Sequence, residues 1–99
     1  IKPNFRQILD KFAAGLVDHS STQVTIIGHT DNTGSDAIND PLSIERAART
    51  RDYLTARSVA SGRVSVNGRG SHEPVASNDT EYGRAQNRRV EIFVAEPQR

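Results

Sequence analysis

The chain has 99 residues, enough for one small domain with a single modest core. Thirteen basic residues against twelve acidic ones leave a net charge of +1, so no large field draws it to nucleic acid or anionic lipid. Cysteine is absent, which excludes disulfides, thiolate nucleophiles and Cys-ligated zinc.

Apolar residues make up 34% of the chain and its mean hydropathy is −0.62, a polar but globular composition. With three Phe, two Tyr and no Trp, the core must rest on Val, Ile, Leu and Ala. Only Lys2 and Lys11 are lysines; the other basic residues are arginines, whose planar fork suits carboxylates and phosphates. Methionine is absent too, so the chain reads as a mature or excised piece. Any signal peptide, lipid anchor or membrane helix is expected outside it. No apolar run approaches bilayer-spanning length.

In chain order, Phe5, Ile8, Leu9, Phe12 and Leu16 mark one face of a first helix, with Asn4 as its N-cap after Pro3. Asp18-His19-Ser20-Ser21 breaks that pattern. Val24 to Ile27 is β-branched throughout and predicts a buried strand running into Gly28. A polar loop, Thr30 to Asp36, follows. Asp40-Pro41 predicts a helix start, with a capping acid and Pro at the first helical position, and the helix runs to about Arg57, burying Ile44, Ala47, Ala48 and Leu54. Val64 and Val66 alternate with polar residues in a second strand leading into Gly68-Arg69-Gly70. Residues 71–82 form a long polar loop, and a helical turn covers Glu81 to Gln86. Val90, Ile92 and Val94 alternate in a last strand. This order predicts one α/β domain over residues 1–99, with its core at about 5–95 and partly parallel strand pairing.

The chemistry concentrates in Gly28-His29-Thr30-Asp31 and, fifteen positions on, Arg46. A carboxylate beyond a strand and a guanidinium in the crossover helix can share the crevice where such folds bind ligands. Asp31 would take an ammonium, while Arg46 and backbone N–H groups would take a carboxylate. The same residues also admit an ordinary explanation: Asp31 as a turn residue, and Arg46 paired with Glu45 or Asp52.

His29, His19 and His72 show no ligand spacing, and the loop Asp31 to Asp36 lacks the alternating acids of a calcium site, so neither a metal nor any other cofactor is expected. There is no Gly-x-Ser-x-Gly elbow and no paired acids, and a cation-bound Asp31 has its pKa moved the wrong way for a general acid. The expectation is therefore not an enzyme. The Arg84, Arg88, Arg89 cluster lacks the broad basic face and exposed aromatics of a nucleic-acid surface.

Gly28-His29-Thr30-Asp31, Gly34, Asn39, Leu42-Ser43 and Arg46-Ala47 resemble the signature of the OmpA-like peptidoglycan-binding domain. Gly68-Arg69-Gly70, Ala76 to Thr80 and Gly83 to Glu91 extend the resemblance over about residues 5 to 95. It implies an α/β (α+β) two-layer sandwich of βαβαβ type, with a mixed sheet and helices on one face. The family's usual first strand would precede Ile1, and Asp40-Pro41 stands where the family often has charged or flexible residues.

The resemblance implies non-covalent binding of peptidoglycan through the diaminopimelate of the stem peptide. Asp31 matches the family's ammonium-binding aspartate and Arg46 its carboxylate-binding arginine; Thr30, Asn32, Gly34 and Asn39 match the contacts around them. It further implies a bracing role for Asn87 and one of Arg88 and Arg89, the other lying near the pocket. The implied location is the periplasm of a Gram-negative bacterium, anchored to the outer membrane through segments outside this chain. An envelope protein-interaction or signalling module on the same fold is the alternative, with an envelope protein as partner.

Overall fold

The computed structural model describes residues 3–95. Its elements follow the expected order: α1 (Pro3–Asp18), β1 (Gln23–Gly28), α2 (Asp36–Thr55), a 3-10 turn (Ser61–Arg63), β2 (Val64–Gly68), α3 (Glu81–Asn87) and β3 (Val90–Ala95). The three strands form one mixed sheet in the order β2-β1-β3. β1 runs parallel to β2, with Val24 opposite Val64 and Gly28 opposite Gly68. It runs antiparallel to β3, with Val24 opposite Val94 and Gly28 opposite Val90.

The core joins Leu9, Ala13 and Leu16 of α1, Val24 and Ile26 of β1, Ala47 and Leu54 of α2, Val59, and Val64 of β2. β1 is not buried throughout. Val24 and Ile26 turn inward while Thr25 is exposed, the alternation expected of a sheet with one covered face. In α1, Asn4 lies inside the helix, its Oδ1 accepting the Phe5 N–H at 3.0 Å. Ile8, expected on the inward face, is 62% exposed, while Ala13, outside the expected stripe, is buried in the core.

The largest departure is the start of α2. Ser35, in extended conformation, is the N-cap, and Asp36 opens the helix, so Pro41 sits inside it. The backbone N–H groups of Ile38 and Asn39 both donate to the Ser35 carbonyl. The inward face is then Asn39, Ser43, Ala47, Thr50 and Leu54, while Ile44 is 48% exposed. A face of small and polar residues lets the helix sit very close to the sheet. A Cβ at Gly28 would fall inside the Ser43 carbonyl, and one at Gly68 would overlap the Ser43 hydroxyl. The glycines ending β1 and β2 are therefore docking surfaces for α2.

Candidate functional site

Beyond Gly28 the chain turns inward and carries polar residues out of solvent. His29, Thr30 and Asp31 are all buried, as are Asn39 and Ser43 of α2 and Asn87 of α3. Such burial requires hydrogen-bond partners, and they come from several elements. The His29 N–H donates to the Arg89 carbonyl at 2.8 Å, and the Thr30 N–H to the Gly70 carbonyl at 2.8 Å. The Ser43 hydroxyl donates to the Asp40 carbonyl and accepts the Gly70 N–H at 2.9 Å. These bonds fix the loop after β1 against the loop after β2.

Asp31 has both carboxylate oxygens engaged. Oδ1 accepts the Thr33 N–H at 2.9 Å, and Oδ2 accepts Nη1 of Arg88 at 2.7 Å. Burial works to raise the Asp31 pKa, but the Thr33 N–H and Arg88 outweigh it and hold the group below its ordinary value. Asn39 donates to the Asp31 carbonyl at 3.4 Å, and the Thr30 hydroxyl donates to the same oxygen at 2.8 Å. Asn32 and Gly34 are exposed in the loop; Gly34 has φ of +86°, a conformation that suits glycine.

Arg46 is paired with neither Asp31 nor Glu45 nor Asp52. Its Nη1 donates to the His29 carbonyl at 2.9 Å. Burial and the positive charge of Arg88 lower its pKa, and Asp31 pulls in the opposite direction. Glu45 instead binds Arg49, and Asp52 binds Arg51. Arg46 thus keeps donor capacity for a ligand.

A crevice of about 440 Å³ opens beside it, lined by Phe5, Arg46, Ala85, Arg88, Arg89 and Val90. Asp31 is not among the lining residues; it reaches the crevice through Arg88. The walls combine guanidinium groups with the apolar surfaces of Phe5, Ala85 and Val90. They suit an anionic group carried on an apolar stem.

The adjacent arginines take separate roles. Arg88 bridges Asp31 and Glu81, with Nη2 on Glu81 Oε1 at 2.8 Å. Arg89 braces the polar loop through the Glu73 carbonyl at 2.9 Å and lies 3.5 Å from Glu91, an ion-pair contact without hydrogen-bond geometry. Asn87 holds the same loop by accepting the Val75 and Ala76 N–H groups and donating to Ala76 and Asn78. His29 orients the loop from beneath, its Nε2 2.6 Å from Glu91 Oε1.

Glu81 did not emerge from the sequence, although it stands seven residues before Arg88, two helical turns away. Asp36, Asp40 and His72 also converge, with ligand atoms within 4.8 Å of one another. All three are exposed and His72 already bonds Asp40 at 3.1 Å, so the group has an ordinary explanation as a surface ion pair.

The match of residues 1–88 to the OmpA family places this chain in that family. Over 88 residues it is 52% identical to the peptidoglycan-binding protein ArfA of Mycobacterium tuberculosis, covering 89% of this chain and 27% of that protein. It is 43% identical to outer membrane porin F of Pseudomonas fluorescens over 94 residues, 95% of this chain and 29% of the porin. The chain therefore spans less than a third of either relative. The peptidoglycan-associated lipoprotein of Burkholderia pseudomallei shares the fold with a TM-score of 0.92 at 27% identity, covering 96% of this chain and 80% of that one. The chain is a domain of the OmpA-like type.

Proposed function

We propose that this domain binds peptidoglycan non-covalently, through the diaminopimelate of the stem peptide. The reading rests above all on one observation: Asp31 and Arg46 carry opposite charges beside one crevice without pairing to each other. A free amino acid end presents an ammonium and a carboxylate a few ångströms apart, and these two side chains complement it. Arg46, with a spare fork beside the crevice, takes the carboxylate, and Asp31 takes the ammonium. Phe5, Ala85 and Val90 accommodate the methylene stem. Thr30, Asn32, Gly34 and Asn39 shape the loop that holds Asp31 in place.

Charge-assisted bonds of this kind contribute about 1.5–3 kcal/mol each, so a single site has modest affinity. A wall polymer offers many identical stems, and effective concentration compensates. The names of the relatives support a place in the bacterial cell envelope. The finer placement is the periplasm of a Gram-negative bacterium, with an outer-membrane anchor outside this chain.

The test is sedimentation with purified peptidoglycan. Wild type is expected in the pellet, Asp31→Ala and Arg46→Ala in the supernatant, and free diaminopimelate should release the wild type. Two variants that pellet like wild type would overturn the reading. Pelleting indifferent to free diaminopimelate would favour a surface made for another envelope component.

A further inference from the structure

The cation seat at Asp31 is already filled by the protein's own Arg88. The Asp31 carboxylate has only 11% of its side-chain surface exposed, and Arg88 covers Oδ2 at 2.7 Å. The other arm of the same guanidinium is held by Glu81, which is 68% exposed at the rim. Arg88 and Arg46 stand close enough for the charge of one to act on the other, and both line the crevice. An incoming ammonium meets an occupied acid, and an incoming carboxylate meets two guanidinium groups.

We propose that Arg88 is an internal stand-in for the ligand's ammonium. On binding, it leaves Asp31 for the ligand's carboxylate, and Glu81 keeps it tethered beside the site throughout. The inference rests on the reading of this crevice as a diaminopimelate site, and it adds a selection rule. A ligand with an amine alone displaces Arg88 and gives it no new partner, so the exchange costs a charge-assisted bond in a partly buried place. A ligand carrying both groups returns a carboxylate to Arg88 as it takes Asp31. The site thus selects for the two charges arriving together.

The experiment is a two-dimensional 15N NMR titration, which also reports whether each variant is folded. The probes are free diaminopimelate and 1,5-diaminopentane, the same carbon chain and amines without the carboxylates. Wild type is expected to bind the first and ignore the second. In Arg88→Met the preference for diaminopimelate over the diamine should fall by about tenfold or more, the scale of one charge-assisted bond. Much of that fall should come from newly gained diamine binding.

In Glu81→Gln, Arg88 is left to Asp31 alone, and diaminopimelate binding should weaken by about threefold or more. An unchanged preference in Arg88→Met overturns the proposal, and so does unchanged affinity in Glu81→Gln should Arg88→Met fail to fold. Failure of the broader reading looks different: wild type itself would not bind diaminopimelate, or Asp31→Asn would not diminish that binding.

Discussion

The two ends of the central strand differ in the side chains they bury. At its start, Val24 lies between Val64 and Val94, and Leu16 of α1 belongs to the same aliphatic cluster. The hollow at that end, about 320 Å³, has Phe12, Leu16 and Val94 among its walls together with Lys11, His19 and Thr22. Arg63 clamps the chain there by donating to the Leu16, His19 and Thr22 carbonyls. At its finish, Gly28 gives way to His29, Thr30 and Asp31, also buried but held by hydrogen bonds from α2, from β3 and from the loops at Gly70 and at Arg88-Arg89. Apolar packing tolerates small shifts, because dispersion and burial are not directional. A buried polar cluster does not, because each misplaced group loses a partner. The difference teaches where precision was needed: at the finish the buried side chains are themselves polar, so directional bonds must fix their positions.

The comparison can be tested by damaging each end in turn. Leu54→Ala should cost about 2–5 kcal/mol in urea unfolding, as a buried leucine cavity does, yet its folded protein should still pellet with peptidoglycan. Asn87→Ala should cost about 1–3 kcal/mol for each group left unpaired and should abolish pelleting, because the loop at Val75 and Ala76 and the Arg88 arm lose their brace. Equal pelleting by the two variants would erase the distinction.

A smaller effect is expected from acid. Asp31 has its pKa held below the ordinary value, so the stability and binding it supplies are complete above about 3.9, the unfolded value. Both are lost as pH falls through the lower folded value. Diaminopimelate affinity should be flat from pH 8 to about 5 and should collapse only below about 4. A decline beginning well above about pH 5 would show that Asp31 does not control the acid dependence.

The smallest effect belongs to Ile8→Gln, on the exposed side of α1. Urea unfolding should move by no more than about 0.5 kcal/mol, although helical spacing alone assigns Ile8 to the core.

That misassignment illustrates what local pattern carries. β2, β3 and α3 were legible because alternation and helical spacing are written into consecutive residues. Asp31 and Arg46 stood out as candidates because they fall within ordered blocks resembling one family. The start of α2 was not. Asp40-Pro41 is the stronger local signal, yet Ser35 is the N-cap, and the earlier start places Asn39 on the helix's buried face. Ile44 likewise fits an apolar stripe, but the inward face was set by the glycines of two strands far apart in sequence. Which of Arg88 and Arg89 turns to Asp31 depended on the sheet's orientation, which alternation leaves undetermined. Glu81 was hidden for a plainer reason: an exposed acid at a helix start has an ordinary use as a terminal charge.

The contact of α2 with Gly28 and Gly68 also limits how this site can change. The close approach of helix and sheet depends on the absence of a side chain at Gly28 and Gly68, so a Cβ at either position would push the helix outward. Asn39 and Arg46 ride on that helix, and their height above the strand ends is fixed with it. Any change in what the crevice accepts would therefore have its freedom elsewhere, at Phe5, Ala85 and Arg88, where side chains define the walls. The domain behaves as a vice with one jaw welded and the other adjustable.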